Sequence, residues 1–239
     1  MDTTNKKYGI NSFSLKILAM FFMLLDHIWG TQRNIPLAFT CIGRLAFPIF
    51  AFQLVVGYFH TKDYKKYLKR LLLFGFISEL PFNYMISGSW FYPFHQNVMF
   101  TLALGLMLIR GLDCETLPMP KRCLLIISSV ILSVFGMPDY GLHGLMLISV
   151  FYFAAKAGKH YKYIIEFIGM VAINIYMAEG MFLPVGSINF PVQGFAVFSL
   201  ILIWLYNGEK GRSDKFAQMT VYWFYPVHML LLYLFAILH

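Results

Sequence analysis

Charged side chains are scarce in this chain of 239 residues. Asp, Glu, Lys and Arg together make up 13% of the sequence, whereas hydrophobic residues make up 59%. An average soluble domain has about 25% charged and about 45–50% apolar residues. Because a soluble fold cannot bury so large an apolar excess, the composition predicts an integral membrane protein.

Cysteine pairs and the common cofactor motifs are also missing. Cys41, Cys114 and Cys123 form no CxxC pair, which argues against a disulfide framework or a cysteine-rich metal site. There is no HExxH, GxSxG or glycine-rich phosphate loop, so a zinc enzyme, a serine hydrolase and a nucleotide-binding domain lack support, and we expect no metal. The net charge of +8 lies in short clusters between apolar segments, which argues against a nucleic-acid partner.

What the sequence has instead is a series of apolar segments separated by polar breaks. The first follows Lys6, Lys7 and Lys16 and runs into Asp26 and His27 rather than a cleavage site, so we interpret it as a retained span. The pattern predicts an all-α, polytopic membrane protein, with residues 1–239 forming a single transmembrane domain. The predicted spans are nine: 15–31, 36–60, 66–84, 97–110, 122–137, 141–156, 161–179, 190–206 and 217–238.

The basic residues predict the direction of these spans. With a cytoplasmic N-terminus, every Lys and Arg except Arg33 and Arg44 falls on the cytoplasmic side, as the positive-inside rule requires. A different number of spans would break this alternation. We therefore expect the C-terminus outside, in what is most simply a bacterial cytoplasmic membrane.

Polar residues within the spans gather toward the outer half of the membrane. Burying such groups without partners costs several kcal/mol, so a shared water-accessible cavity is the economical explanation. The inner half holds few besides Glu166. The outward-displaced residues are Asp26, His27, Arg44, Glu79, Asn83, Asn97, Asp139, His143, Glu179 and His228.

Each of these residues also has a purely structural interpretation. Asp26 and His27 are neighbours that point about 100° apart on a helix, so the partner of His27 should come from another helix. Arg44 can bind an anion, or it can form an ion pair with Asp26 or Glu79. Asp139 can contact a ligand or lie in a solvated loop.

Helical spacing and proline mark three further pairs. Glu79 and Asn83 are four residues apart and share a helix face. His228 follows Tyr225 and a proline, where a kink can free backbone carbonyls. Asp139 and His143 are also four apart, and the outer loops 86–96 and 180–189 are candidate selectivity elements.

Six blocks of the sequence resemble the TraX family, whose founding member is a conjugative pilin acetylase. They are LKILAMFFMLLDHIWG at 15–30, IGRLAFPIFAFQLVVGYFHT at 42–61, RLLLFGFISELPFNY at 70–84, NVMFTLALGL at 97–106, DYGLHGLMLI at 139–148 and FYPVHMLLLYL at 224–234. The blocks run in order from the first span to the last. The resemblance extends to the acyltransferase-3 proteins and the heparan glucosaminide acetyltransferases, in which a polar residue late in the first helix corresponds to Asp26 and His27.

The resemblance implies acyl transfer from acyl-CoA, usually acetyl-CoA, to an amine or hydroxyl at the outer face. A pilin N-terminus and a glycan are both possible acceptors. His27 is the candidate general base, with Asp26 and Glu79 as further catalytic residues. Arg44, Asn83 and Asn97 are candidate donors to the oxyanion, and a covalent acyl-histidine route stays open.

The phosphates of CoA need cytoplasmic cations. Lys62, Lys66, Lys69 and Arg70 form the densest basic loop, although positive-inside charge alone explains them, and Arg44 is a deeper cation. The candidate substrate-binding residues are Asn83, Asn97, Asp139, His143, Tyr225 and His228.

Two other functions fit the same residues. Polar groups in membrane spans also line the pathways of transporters and flippases. A non-enzymatic assembly factor for pili or envelope polymers is the second alternative.

Overall fold

A computed structural model describes residues 8–212 and 214–238. Lys6 and Lys7 lie outside the described residues. Within the described part, ten α-helices account for most of the chain. They are α1 (Ser12–Thr31), α2 (Ala38–Gly43), α3 (Ala46–His60), α4 (Tyr64–Ser87), α5 (Val98–Asp113), α6 (Met119–Phe135), α7 (Gly141–Lys156), α8 (Lys159–Val171), α9 (Ser199–Trp204) and α10 (Lys215–Leu238).

The helices occupy the predicted apolar segments, with three local departures. The second segment breaks at residues 44–45 into α2 and α3. A π-helical turn (Ala172–Tyr176) follows α8, and a 3-10 helix (Val192–Phe198) precedes α9. In the described residues, three stretches are long and apolar enough to cross a membrane, namely Ser12–Thr31, Ala38–His60 and Lys215–Leu238.

The all-α prediction is wrong at one place. Residues 182–191, predicted to be mostly an outer loop, form an antiparallel hairpin of β1 (Phe182–Val185) and β2 (Ile188–Pro191), with Val185 opposite Ile188. The turn contains Gly186 at φ 61°, a left-handed conformation that glycine adopts without steric cost. The sequence pattern missed the hairpin because each strand has only four residues.

Local capping explains where several helices begin and end. Asn11 accepts a hydrogen bond from the backbone N–H of Ser14 at 2.9 Å and caps α1. Asp63 caps α4 in the same way through Lys66, also at 2.9 Å. The left-handed residue Gly88 ends α4.

Helix α3 lies at the centre of the bundle. The apolar window of Ala38–His60 is 67% buried, against 22% for Ser12–Thr31 and for Lys215–Leu238. Ile49 and Ala51 of α3 are fully buried, and they belong to the same core as Leu15, Ile109 and Met229. Helices α1 and α10 therefore expose apolar faces suited to lipid, while α3 is enclosed by protein.

We call the end of the bundle that holds the start of α1, α4 and α10 the basic end. There, the backbone N–H groups of Ser12 and Phe13 donate to the carbonyls of Glu209 and Lys210, at 2.8 and 3.2 Å. At the opposite end, Gln96 donates to the carbonyl of Met137 at 2.9 Å. These contacts hold together loops that are distant in sequence.

A carboxylate joins three helices at the basic end. Asp113, at the end of α5, accepts hydrogen bonds from Tyr58 of α3 at 3.0 Å and from Tyr152 of α7 at 3.0 Å. Lys156 of α7 completes the cluster at 2.9 Å. Partial burial opposes ionisation of Asp113, but these donors outweigh it and lower the pKa of its carboxyl group.

Candidate functional site

His27 and His228 form a hydrogen-bonded pair between α1 and α10. The Nδ1 atom of His27 lies 2.7 Å from the Nε2 atom of His228, with 6° between the ring planes. The Nδ1 atom of His228 in turn lies 2.7 Å from the carbonyl oxygen of Phe224. The prediction that the partner of His27 comes from another helix is confirmed.

This chain of contacts determines where the protons lie when both rings are neutral. A carbonyl oxygen only accepts, so Nδ1 of His228 carries a proton and its Nε2 carries a lone pair. His27 must then donate through its own Nδ1. The Nε2 atom of His27 is left with a free lone pair, which is the requirement for a general base.

Asp26 is held by two residues of the broken second segment. The Oδ1 atom of Asp26 accepts hydrogen bonds from Arg44 Nη2 at 2.9 Å and from Thr40 Oγ1 at 2.6 Å. Of the alternatives for Arg44, the ion pair with Asp26 is therefore present, and Glu79 is not its partner. Both side chains of the pair are mostly buried, 26% exposed for Arg44 and 19% for Asp26.

The backbone of α2 approaches Asp26 very closely. A Cβ atom added at Gly43 would lie 2.4 Å from the Cβ atom of Asp26. No side chain fits at this position without displacing α1 or α2. The glycine thereby allows Thr40 and Arg44 to reach the carboxylate.

Glu79 and Asn97 form a second polar pair, between α4 and the start of α5. The Nδ2 atom of Asn97 donates to Glu79 Oε2 at 2.5 Å and to the carbonyl of Gly75 at 2.8 Å. Its Oδ1 atom caps α5 by accepting from Met99. Both amide hydrogens of Asn97 are therefore engaged within the protein, and its predicted contact with the reacting group stays a prediction.

Two acceptor atoms beside this pair lack a hydrogen bond in the described structure. They are Oε1 of Glu79 and Oδ1 of Asn83, and both atoms are buried. The Nδ2 atom of Asn83 donates to the carbonyl of Trp90 at 3.4 Å. The face of α4 that Glu79 and Asn83 are predicted to share therefore carries two hydrogen-bond acceptors.

Asp139 lies in the loop before α7, where it meets a histidine that the sequence did not single out. His95 Nε2 is 3.5 Å from Asp139 Oδ1, and the hydrogen bond to Asp139 raises the pKa of His95 above its ordinary value of 6.5. Asp139 also interacts electrostatically with His27 and Arg44. His228, Arg44 and Asp139 thus interact with His27, whereas the predicted gathering of all ten polar residues in one zone stays a prediction.

Apolar and basic side chains line a cavity of about 330 Å³, here named the basic cavity. No carboxylate occurs among the described residues of its lining, although the lining residue Arg212 is paired with Asp214 at 2.8 Å. Lys16, Arg70 and Lys210 repel one another there as like charges, and the Nε atom of Arg70 is buried without a hydrogen bond in the described structure. Such a cluster favours an anionic ligand. The basic residues of the lining are Lys16, Arg70, Lys210 and Arg212.

Only Arg70 of the predicted basic loop belongs to this lining. Lys62, Lys66 and Lys69 are exposed and do not line the cavity. In the sequence, Lys16, Lys210 and Arg212 indicated only the direction of the spans. Their shared position depends on the pairing of residues 205–210 with the start of α1, which no local pattern indicates.

Tyr225 connects the basic cavity with the polar groups. It lines the cavity, is only 3% exposed, and lies three residues before His228 on α10. Tyr225 also interacts electrostatically with Asp139 and Glu79. The predicted involvement of Tyr225 in substrate binding is consistent with this position.

A second cavity, of about 270 Å³, lies at the opposite end of the bundle. Its floor includes the buried side chains of Phe47 and Asn174, and its rim includes the exposed side chain of Glu179. His143 lines it and lies 3.2 Å, through Nε2, from the carbonyl oxygen of Met177. We keep the name second cavity for this region.

Tyr140 contacts both the second cavity and the surroundings of the Asp26–Arg44 pair. Tyr140 lines the cavity and stacks on Phe47 with 3.9 Å between ring centroids. The same tyrosine interacts electrostatically with Arg44 and Asp26. Tyr140 has a φ of 63°, an uncommon value for a bulky residue, of the kind that often accompanies functional sites.

No group of three or more His, Cys, Asp or Glu side chains suited to a metal ion occurs among the described residues.

Comparison with known proteins gives a family and a relative. The family model described as TraX protein matches residues 12–236. The chain is 28% identical over 244 aligned positions to a Dichelobacter nodosus protein named as the probable fimbrial assembly protein FimC. That alignment covers 95% of this chain and 96% of the relative. No solved structure matches.

Proposed function

Since this chain belongs to the TraX family, we propose that it is a transmembrane acyltransferase that uses acyl-CoA, with acetyl-CoA as the first donor to test. The acceptor is an amine or hydroxyl at the outer face of the membrane. The basic cavity, beside the helices of the His27–His228 pair, is the observation that carries this proposal.

The basic cavity suits the donor in charge and in size. Lys16, Arg70 and Lys210 can neutralise phosphates of CoA, whereas Arg212 is already paired with Asp214 at 2.8 Å. Met20, Met23 and Leu54 offer an apolar path for the pantetheine arm. A volume of about 330 Å³ lies within the range of small-molecule sites. Met23 lies four residues before His27 and Tyr225 three before His228, each about one helical turn, so a bound thioester would come near that pair.

His27 would then act as the general base. Its Nε2 lone pair accepts the proton that the acceptor loses as the acceptor attacks the thioester carbon. The tetrahedral intermediate collapses with cleavage of the carbon–sulfur bond, and the CoA thiolate leaves. His228 orients His27 through the 2.7 Å hydrogen bond, which makes His228 a positioning residue.

Arg44 remains the best candidate to stabilise the oxyanion. Its Nη2 atom donates a hydrogen bond to Asp26, which fixes the position of the guanidinium group. An oriented cation stabilises developing negative charge better than a mobile one. Asp26 would thus contribute by holding Arg44, and Glu79 by holding Asn97.

The membrane arrangement belongs to the same proposal. We expect all nine predicted segments to cross the bacterial cytoplasmic membrane, with the basic end in the cytoplasm. Acyl-CoA would approach from that end, and the second cavity would face outward.

A role in fimbrial assembly without catalysis is the second candidate. It is favoured by the name of the Dichelobacter nodosus relative, which refers to assembly. An acetylase that modifies a pilus subunit would also act in assembly, so the two candidates overlap. The reaction itself has to be measured to separate them.

The test uses the full chain purified in detergent with acetyl-labelled acetyl-CoA and an amine acceptor. We expect binding of acetyl-CoA, release of CoA and label on the acceptor. His27→Ala should lower the transfer rate about 10²–10⁴-fold, the usual contribution of a general base, while acetyl-CoA binding persists. His160→Ala, at an exposed histidine near the start of α8, is the matched control and should keep the parent rate.

Two results would contradict the proposal at different levels. Absence of both acetyl-CoA binding and CoA release would overturn the acyltransferase function and favour the assembly candidate. A folded His27→Ala variant that transfers acetyl at the parent rate would leave the function standing and remove His27 as its base.

A further inference from the structure

Gln53 brings a hydrogen-bond donor without a partner to the wall of the basic cavity. The residue lines the cavity and is only 5% exposed. Its Oε1 atom accepts a hydrogen bond from Ser12 Oγ at 2.6 Å, whereas its Nε2 atom is buried and has no partner among the described residues. A buried donor without a partner costs stability. An acceptor supplied by a ligand would remove that cost.

Gln53 lies beside the basic side chains of the cavity. Its partner Ser12 is about one helical turn before Lys16 on α1. The backbone N–H of Ser12 donates to the carbonyl of Glu209 at 2.8 Å, which brings Lys210 to the same place. An acceptor that Gln53 binds would therefore lie close to the anionic group of a ligand held by these lysines.

The chemistry of a primary amide favours a neutral acceptor at this position. An anionic oxygen binds more strongly to a charged donor, and Lys16, Arg70 and Lys210 already offer charged donors. A carbonyl oxygen that enters the cavity loses its water against apolar neighbours such as Phe50 and Leu54, so it needs a donor there. A plain alkyl chain has no such need. It would leave the Nε2 atom of Gln53 unpaired, and buried polar groups reject ligands for this reason.

We infer that Gln53 is a specificity-determining residue. Through its Nε2 atom, the basic cavity selects an anionic ligand with a carbonyl group in its arm over an anionic ligand with a plain alkyl arm. The inference rests on the proposed function where it names that arm, which in acyl-CoA is the pantetheine with its two amides. Such selection is useful in a membrane, because amphiphilic anions with alkyl chains suit a basic cavity with apolar walls.

Two probes with one phosphate each test the inference without acyl transfer. Phosphopantetheine carries amide carbonyls, and dodecyl phosphate has an alkyl chain of similar length without them. Gln53→Met should raise the dissociation constant of phosphopantetheine about 2–10-fold, the range of one neutral hydrogen bond. It should lower the dissociation constant of dodecyl phosphate, because no unpaired amide is left beside the chain. Isothermal titration calorimetry of the purified full chain measures both, and partition into detergent cancels in the ratio of variant to parent.

Two further variants complete the test. Gln193→Met is the matched control, at a half-buried glutamine of the second cavity that donates to Asn174 at 2.9 Å. It should leave both dissociation constants unchanged. Ser12→Ala keeps the glutamine and removes the hydroxyl that holds its Oε1 atom, so it decides the test if Gln53→Met does not fold. It should change the ratio of the two constants in the same direction, by about twofold.

The outcomes separate this inference from the proposed function. Equal losses of affinity for the two probes would overturn the inference, because Gln53 would then bind the phosphate itself or only support the fold. Unchanged constants in the Gln53 and Ser12 variants would overturn it as well, even if acetyl transfer is observed. Changes of opposite sign for the two probes would support the inference even if no transfer is found.

Discussion

The two cavities have similar volumes, about 330 and 270 Å³, and opposite charge. Among the described residues, four basic side chains and no carboxylate line the basic cavity, although one of them, Arg212, is paired with Asp214 outside the lining. One carboxylate and neither Lys nor Arg line the second cavity in the same part of the chain. Both have largely apolar walls, so burial of apolar ligand surface does not distinguish them. The charge of the lining is what differs between them, and it favours an anionic ligand in the basic cavity over one in the second.

Under the proposed function, this difference in charge would keep the two substrates apart. A polyanion such as CoA is attracted to the basic end and gains nothing from the rim of the second cavity. An ammonium group is repelled by Lys16, Arg70 and Lys210, and attracted to Glu179. In the proposed reaction the two ligands would approach from opposite ends, toward His27.

Reversing a charge in the basic cavity should have the largest effect on the difference between the two cavities. Arg70→Glu should raise the dissociation constant of acetyl-CoA at least about 30-fold, because removing one partner of a buried charged contact costs roughly 2–5 kcal/mol. Lys69→Glu is the matched control, since Lys69 is the exposed neighbour outside the lining. Isothermal titration calorimetry measures both constants.

Equal losses of affinity in the two variants would mean that the basic loop as a whole binds the donor. The distinction between cations that line the cavity and cations that do not would then fail. An unchanged constant in Arg70→Glu would place the CoA phosphates elsewhere.

The contrast also shows which features of the site a sequence pattern can predict. Hydropathy predicted the helical segments, because a run of apolar residues is a local feature of the chain. The charge of the basic cavity depends on Lys16, Arg70, Lys210 and Arg212, which come from three parts of the chain. Their proximity follows from tertiary packing.

The sequence also left open which side chains Arg44 and Asn97 bind. Arg44 had two possible carboxylate partners, and the break between α2 and α3 decides for Asp26. Asn97 was expected to face the reacting group, yet its amide hydrogens hold Glu79 and Gly75. Spacing along a helix indicates which residues share a face, but it does not indicate what packs against that face.

The region between the two cavities offers a test of intermediate size. Gly43→Ala should destabilise the protein by about 1–3 kcal/mol, because the new methyl group overlaps Asp26 at 2.4 Å and overpacks the contact between α1 and α2. Gly30→Ala is the matched control, since no atom lies within 4 Å of a Cβ added at Gly30. That variant should be neutral or slightly stabilising, by up to about 1 kcal/mol.

Thermal unfolding in detergent, followed by tryptophan fluorescence, measures both glycine variants. We expect Gly43→Ala to unfold at a lower temperature than Gly30→Ala and to lose acetyl transfer more than acetyl-CoA binding. Equal unfolding temperatures would contradict the close packing of α2 on Asp26, and with it the fixed position of Arg44 between the cavities.

The smallest expected effect concerns the loop contact between His95 and Asp139, at the same end as the second cavity. The pKa of His95 is raised in the folded protein, so the contact stabilises the fold fully below the unfolded pKa of about 6.5 and loses this effect as pH rises through the folded value. Both side chains are about one-third exposed, which limits the effect to less than about 1 kcal/mol. His95→Gln should therefore lower the unfolding temperature near pH 6 more than near pH 8, whereas His160→Gln, at an exposed histidine of the basic end, should lower it equally at both. A loss in His95→Gln that grows with rising pH would contradict the sign of this argument and the ion pair on which it depends.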